Sequence, residues 1–182
     1  MFRQTAFGVA LSTLVLASGL TANSVPGHTS TNQILSRQAL SGASQQIATS
    51  ENVKTTDLEK SVLEQINRYR IAHGLPALTI NQNISRQARV HSQQMAEGQV
   101  PFSHDGFKKR VNAIPLRYQS AAENVAFNQG YNDPAAQAML GWLNSPGHLS
   151  NIHGDFNLTG IGVAKNSQGE VYITQIFLRS HK

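Results

Sequence analysis

The 182-residue sequence contains no cysteine. Disulfides, thiolate zinc sites, cysteine nucleophiles and an acylated lipoprotein cysteine are therefore excluded, and any metal would rest on His and carboxylates. There is one Trp, and charged residues make up only 14% of the chain. One long apolar run exists, from Ala6 to Leu20 after Arg3. It is short for a membrane span and has the pattern of a signal peptide. Residues 1–22 are read as that peptide, cut after Ala22 or, in the better small-residue context Ala17-Ser18-Gly19, after Gly19; an uncleaved anchor is the alternative. Either way the rest is exported, to be secreted, cell-surface or periplasmic, with membrane contact only through this segment if it is retained. Charge of one sign is also scarce. Residues 57–182 carry 12 Lys and Arg against 9 Asp and Glu, +3 of the chain's +5, which suits weak attraction to anionic wall or membrane surfaces. Lys108-Lys109-Arg110 has no neighbouring run of aromatics on which bases would stack. Nucleic acid is not an expected partner, and the triplet reads as a solvated helix face. No Gly-x-Ser-x-Gly elbow, His-Glu-x-x-His helix or phosphate loop is present.

Residues 23–56 are rich in Ser, Thr, Gln, Asn and Ala and read as a flexible, low-complexity linker. Order is expected from residue 57. Thr56-Asp57-Leu58-Glu59 has the form of a capping box, and Leu58, Val62, Ile66 and Tyr69 recur at helical spacing until Gly74 and Pro76. A second helix is expected from about Asn83 to Glu97, with Ile84, Ala88, His91 and Met95 inward; His91 on that stripe reads as a satisfied core histidine. A short basic helix should follow from Phe107 to Ala113. Ala121 to Phe127 is apolar except for Glu123-Asn124. A carboxylate there either is buried with a partner, because burying it alone costs several kcal/mol, or is a surface Glu at a helix start. Asp133-Pro134 opens a helix through Ala138, Met139 and Trp142. Pro146-Gly147 then forces a break, and His148 opens a short helical segment. Leu158–Ala164 and Val171–Phe177 read as a hairpin across Asn166–Gly169. The fold class expected is α+β.

Polar residues at breaks, His104, Glu123 and His148, with Tyr172, are the candidates for chemistry. Two neutral imidazoles and a carboxylate can bind zinc with a position left for water. Without metal, Glu123 can orient an imidazole as general base.

The ordered series Phe102-Ser103-His104, Ala122-Glu123-Asn124-Val125-Ala126, Trp142-Leu143-Asn144-Ser145-Pro146-Gly147-His148, Gly160-Ile161-Gly162-Val163 and Tyr172-Ile173-Thr174-Gln175-Ile176-Phe177 resembles the CAP superfamily. That family comprises cysteine-rich secretory, antigen 5 and pathogenesis-related 1 proteins, also called SCP-like extracellular domains. The bacterial branch is the nearest match, over residues 57–182. The resemblance implies a three-layer α-β-α sandwich with a small antiparallel sheet and a central cleft. Eukaryotic members often line that cleft with two His and two acidic residues, some of them binding divalent metal. His104 matches the first His, and Glu123 the Glu of a Gly-Glu-Asn element in which Ala122 replaces Gly. Ser145 stands where the second acid belongs and Tyr172 where the second His belongs. His148, from the bacterial Ser-Pro-Gly-His motif, is expected to supply the second imidazole. The resemblance thus implies an exported binding module for a wall, lipid or peptide ligand, with a cleft of His104, Glu123, Trp142, Ser145, His148 and Tyr172. The alternatives are a hydrolase using His104, Glu123 and His148, with or without zinc on His104 and His148, and a structural surface protein.

Overall fold

A computed structural model describes residues 55–181. The expected signal peptide, and the linker up to residue 54, lie outside the described residues. The chain is already helical at residues 55 and 56, so α1 (55–72) does not begin on a Thr56 cap. The capping-box reading is corrected in its second half too. The Glu59 carboxylate accepts from Arg89 Nε at 2.8 Å and Nη2 at 2.6 Å, and from the Val163 amide at 3.3 Å. A long-range cation and a strand amide are its partners, not its own helix start.

The remaining elements are β1 (Thr79–Ile80), α2 (Gln82–Ala96), α3 (Phe107–Asn112), β2 (Tyr118–Gln129), α4 (Pro134–Leu143), α5 (Pro146–His153), β3 (Leu158–Lys165) and β4 (Glu170–Ser180). Local chemistry explains their starts. Asn81 Oδ1 caps α2 by accepting from the Asn83 and Ile84 amides, and Asp133 Oδ1 caps α4 at the Ala136 amide. Pro134 and Pro146 occupy the first turns of α4 and α5, where a missing N–H costs nothing. The expected hairpin forms, with β3 antiparallel to β4. The sheet order is β1-β3-β4-β2. β2 runs antiparallel to β4, while the two residues of β1 lie parallel to β3, so the sheet is mixed at one edge. The stretch around Glu123-Asn124 is the middle of the longest strand and not a helix start.

Alternation along β4 creates two cores. Val171, Ile173 and Phe177 pack with Val62 and Ile66 of α1, Met139 and Trp142 of α4 and Ile152 of α5. Ile176 and Leu178 point the other way, to Ile84 and Ala88 of α2 and to Val111 and Ile114. Helices thus cover both faces, giving the α-β-α layering. Gly160 and Gly162 lie on the α2 side of β3, alternating with Ile161 and Val163, which face the first core. A Cβ at Gly160 would overlap the backbone of Ile84 and Ser85, and one at Gly162 that of Ala88 and Arg89. The two glycines let α2 lie directly on the strand. Beyond β1, the edge of β3 is closed by side chains: the Ile161 amide donates to Ser85 Oγ, and the Val163 amide to Glu59. A covered edge offers no template for a further strand.

Arg70 performs the other long-range closure. It is 1% exposed. Its Nε donates to the Pro76 carbonyl, Nη1 to the Ile152 and Gly154 carbonyls, and Nη2 to the Phe156 carbonyl. One guanidinium therefore binds the end of α1 to the end of α5, where carbonyls carry partial negative charge. Among the described residues no helix is long and apolar enough to cross a membrane.

The glycine contact is directly testable. Gly162→Ala should lower stability by at least about 1–3 kcal/mol in urea denaturation, the usual cost of overpacking. Unchanged stability would show that α2 does not rest on this strand.

Candidate functional site

Glu123 and Asn124 are neighbours on β2, so their side chains leave opposite faces of the sheet. Each holds a different element against the strand. Glu123, opposite Ile176 in the ladder, points to the α2–α3 side. Its side chain is 1% exposed. Oε1 accepts from Arg110 Nη2 at 2.7 Å and lies 3.0 Å from His104 Nδ1, while Oε2 accepts from Arg110 Nε at 3.0 Å. The Arg110–carboxylate pair is bidentate, the strong form of this interaction. Arg110 also donates through Nη1 to the Asp105 carbonyl at 2.6 Å. Gly106, at φ 75°, turns the chain into α3, and a Cβ there would stand 3.3 Å from Arg110 Nη1.

Asn124 faces α5. Its Nδ2 donates to the His148 carbonyl and its Oδ1 accepts from Asn151 Nδ2, which also donates to the Glu123 carbonyl. Trp142 Nε1 donates to the Val125 carbonyl at 2.9 Å. The loop carrying His104 and the helix carrying His148 are thus fastened to two successive residues of an edge strand. Their imidazoles meet beside it, ring centroids 6.1 Å apart and tilted by 45°. Burial lowers the His148 pKa from its ordinary value, and the neighbouring His104 lowers it further. His148 is accordingly a neutral hydrogen-bonding ring at neutral pH.

The structure brings His104, Glu123 and His148 together. It does not bring the other cleft candidates into the same cluster. Trp142 is 2% exposed, so it forms the wall behind β2 and presents no surface to a ligand. Ser145 is the N-cap residue of α5 and makes no side-chain cap bond. Tyr172 pairs with Phe127, four residues along β2 from Glu123, roughly 13 Å at strand spacing. Its hydroxyl donates to Glu170 Oε2 at 3.2 Å. Burial raises its pKa, helped by Glu170. Along this side Phe102, Phe127 and Tyr172 form a row, with ring centroids 6.3 Å and 5.1 Å apart. Phe102 and Phe127 are exposed.

Two site residues escaped the sequence reading. Arg110, read as part of a solvated basic face, has a side chain only 10% exposed and neutralises Glu123. Asn151 ties α5 to β2. Arg110 carried one signal, since a buried carboxylate in an apolar stretch needs a partner and a nearby cation can supply it; nothing in the sequence says which of three adjacent basic residues does so.

The residues present fit a metal ion poorly. Among the described residues no group of three or more His, Asp or Glu is arranged to hold one. Both Glu123 oxygens are engaged by Arg110, and a guanidinium beside the carboxylate opposes a second cation.

Residues 63–177 match the cysteine-rich secretory protein family, CAP, and the chain belongs to that family. It is 35% identical over 135 residues to the uncharacterized membrane protein YlbC of Bacillus subtilis (strain 168), which covers 71% of this chain and 36% of YlbC. It is 32% identical over 146 residues to the uncharacterized protein YkwD of the same organism, covering 73% of this chain and 55% of YkwD. The chain therefore spans only about a third to about half of these relatives. A crystal structure of an extracellular protein containing an SCP domain from Bacillus anthracis is 29% identical, with TM-score 0.61, over 69% of this chain and 41% of that one.

The lowered pKa of His148 has a consequence for stability. In the unfolded chain the ring titrates near its ordinary value of about 6.5, and in the folded chain below it. Between the two the unfolded state binds more protons, so stability falls as pH drops below about 6.5 and levels off below the folded pKa. Urea midpoints at pH 7 and pH 5 should differ in that direction, and His148→Asn should narrow the difference. A gap unchanged by the substitution would contradict the assignment.

Proposed function

We propose that this CAP domain is an exported binding module that receives an amphipathic wall, lipid or peptide ligand beside β2. The polar part of the ligand hydrogen-bonds the His104 and His148 imidazoles, and its apolar part rests on Phe102 and Phe127. One observation carries the reading: the Glu123 carboxylate is buried and held by Arg110 and His104, while the two imidazoles and two exposed aromatic rings stand outside it. A carboxylate so engaged serves as an anchor better than as a general base, which needs a free lone pair near the proton it takes. This favours binding over hydrolysis. A neutral His148 both donates and accepts, and the Glu123–Arg110 pair carries no net charge. The site therefore selects by hydrogen bonding and apolar contact. Export is supported by the N-terminal apolar run and by the extracellular character of the Bacillus anthracis relative.

Calorimetry with three probes tests this: soluble peptidoglycan fragments, phosphatidylglycerol–phosphatidylcholine vesicles and a short apolar peptide. At least one should bind. His104→Ala, His148→Ala and Phe127→Ala should each weaken it roughly fivefold to tenfold, the scale of one lost contact, while Ile71→Ala on the far side of α1 should not. No binding by any probe, or binding indifferent to both His substitutions, would remove the proposed site.

A further inference from the structure

His104 belongs to no helix or strand, so something other than a regular element must hold its backbone. Part of the answer lies on α2. His91 is 1% exposed, and its Nε2 lies 3.0 Å from the Ser103 carbonyl. A carbonyl only accepts, so Nε2 carries the proton and the ring holds Ser103 from beneath. His91 Nδ1 is buried with no hydrogen-bond partner. In that tautomer the orphan atom is an acceptor. Protonation would make it an orphan N–H beside the Arg110 cation, and unpaired buried N–H groups are rarer than unpaired acceptors. Burial is the main cause of a lowered His91 pKa. The Ser103 bond and Glu123 oppose it, and Arg110 and His104 add to it. The ring therefore stays a neutral donor with one fixed tautomer.

The rest of the segment is held from above. The Asp105 amide donates to Ser103 Oγ, and the Phe107 amide to the His104 carbonyl. Arg110 donates to the Asp105 carbonyl. His91 supplies the one attachment from the core helix, at the peptide group immediately before His104.

We infer that His91 is a positioning residue: through its Nε2–H bond to Ser103 it sets the His104 imidazole against Glu123 and His148. It touches no ligand and acts only through that carbonyl. The inference deepens the proposed binding role of His104 and rests on it, but its test reads no ligand, so the two fail separately.

The full chain is compared with His91→Leu, which keeps bulk and loses the donor, and with His91→Gln, whose amide N–H can reach the same carbonyl. In His91→Leu the amides of residues 102–106 should exchange with solvent roughly fivefold to tenfold faster, the equivalent of one lost hydrogen bond. The NMR ring signals of His104 and His148 should shift, while protection in β4 is unchanged. His91→Gln should restore both. Unaltered loop exchange and ring signals in His91→Leu, or no restoration by His91→Gln with the core intact, would overturn the inference. Nitrogen NMR of the unsubstituted protein at pH 7 decides the matter even if both variants fail to fold: Nε2 must be protonated and Nδ1 bare, and the reverse tautomer would overturn it.

Discussion

A carboxylate with 1% exposure in the middle of an edge strand is the constraint from which the site follows. Burying that charge alone would cost several kcal/mol, so it must be paired and hydrogen-bonded. Arg110 and His104 meet the requirement from α3 and from the loop before it. Arg110 in turn holds the Asp105 carbonyl. One buried charge thereby organises a segment that has little regular structure of its own. Asn124 does the equivalent on the other face, where it captures α5. The imidazole pair is the product of these two attachments, made by adjacent residues of one strand.

The family takes its name from cysteine-rich proteins, and this chain has none. What stands in the described residues is a set of long-range polar closures. Arg70 binds the nearby Pro76 carbonyl and three carbonyls more than 80 residues away. Asn67 holds Leu78 by both its N–H and its carbonyl. Glu59 joins α1 to α2 through Arg89 and covers the edge of β3. Each group is buried or half-buried, so each bond is made at low local dielectric and would be expensive to leave open.

Features set by local periodicity were legible in the sequence. The α2 stripe of Ile84, Ala88, His91 and Met95 is buried, the β3–β4 hairpin forms, and the Asp133-Pro134 start is a genuine cap. The trio His104, Glu123 and His148 was legible as polar residues at breaks and through family resemblance. What failed did so for long-range reasons. β2 is rich in Ala, Asn and Gln, weak strand formers, and owes its conformation to pairing with β4. Glu59 looked like a local cap because its partner lies 30 residues away. Tyr172 matches a cleft position by motif, but strand register sets it beside Phe127. His91 was legible as a core residue, yet its unpaired nitrogen and its hold on Ser103 depend on a loop whose path no pattern reveals.

The central claim is that Arg110 and Glu123 form a buried anchor and not a surface pair. A double-mutant cycle in urea denaturation measures this directly. Arg110→Leu should cost about 3–5 kcal/mol, because it strands the charge, whereas Arg110→Leu with Glu123→Leu should recover most of that loss, since replacing a whole buried pair is often near neutral. A loss below about 1 kcal/mol for Arg110→Leu, the scale of an exposed ion pair, or no recovery in the double variant, would contradict the account.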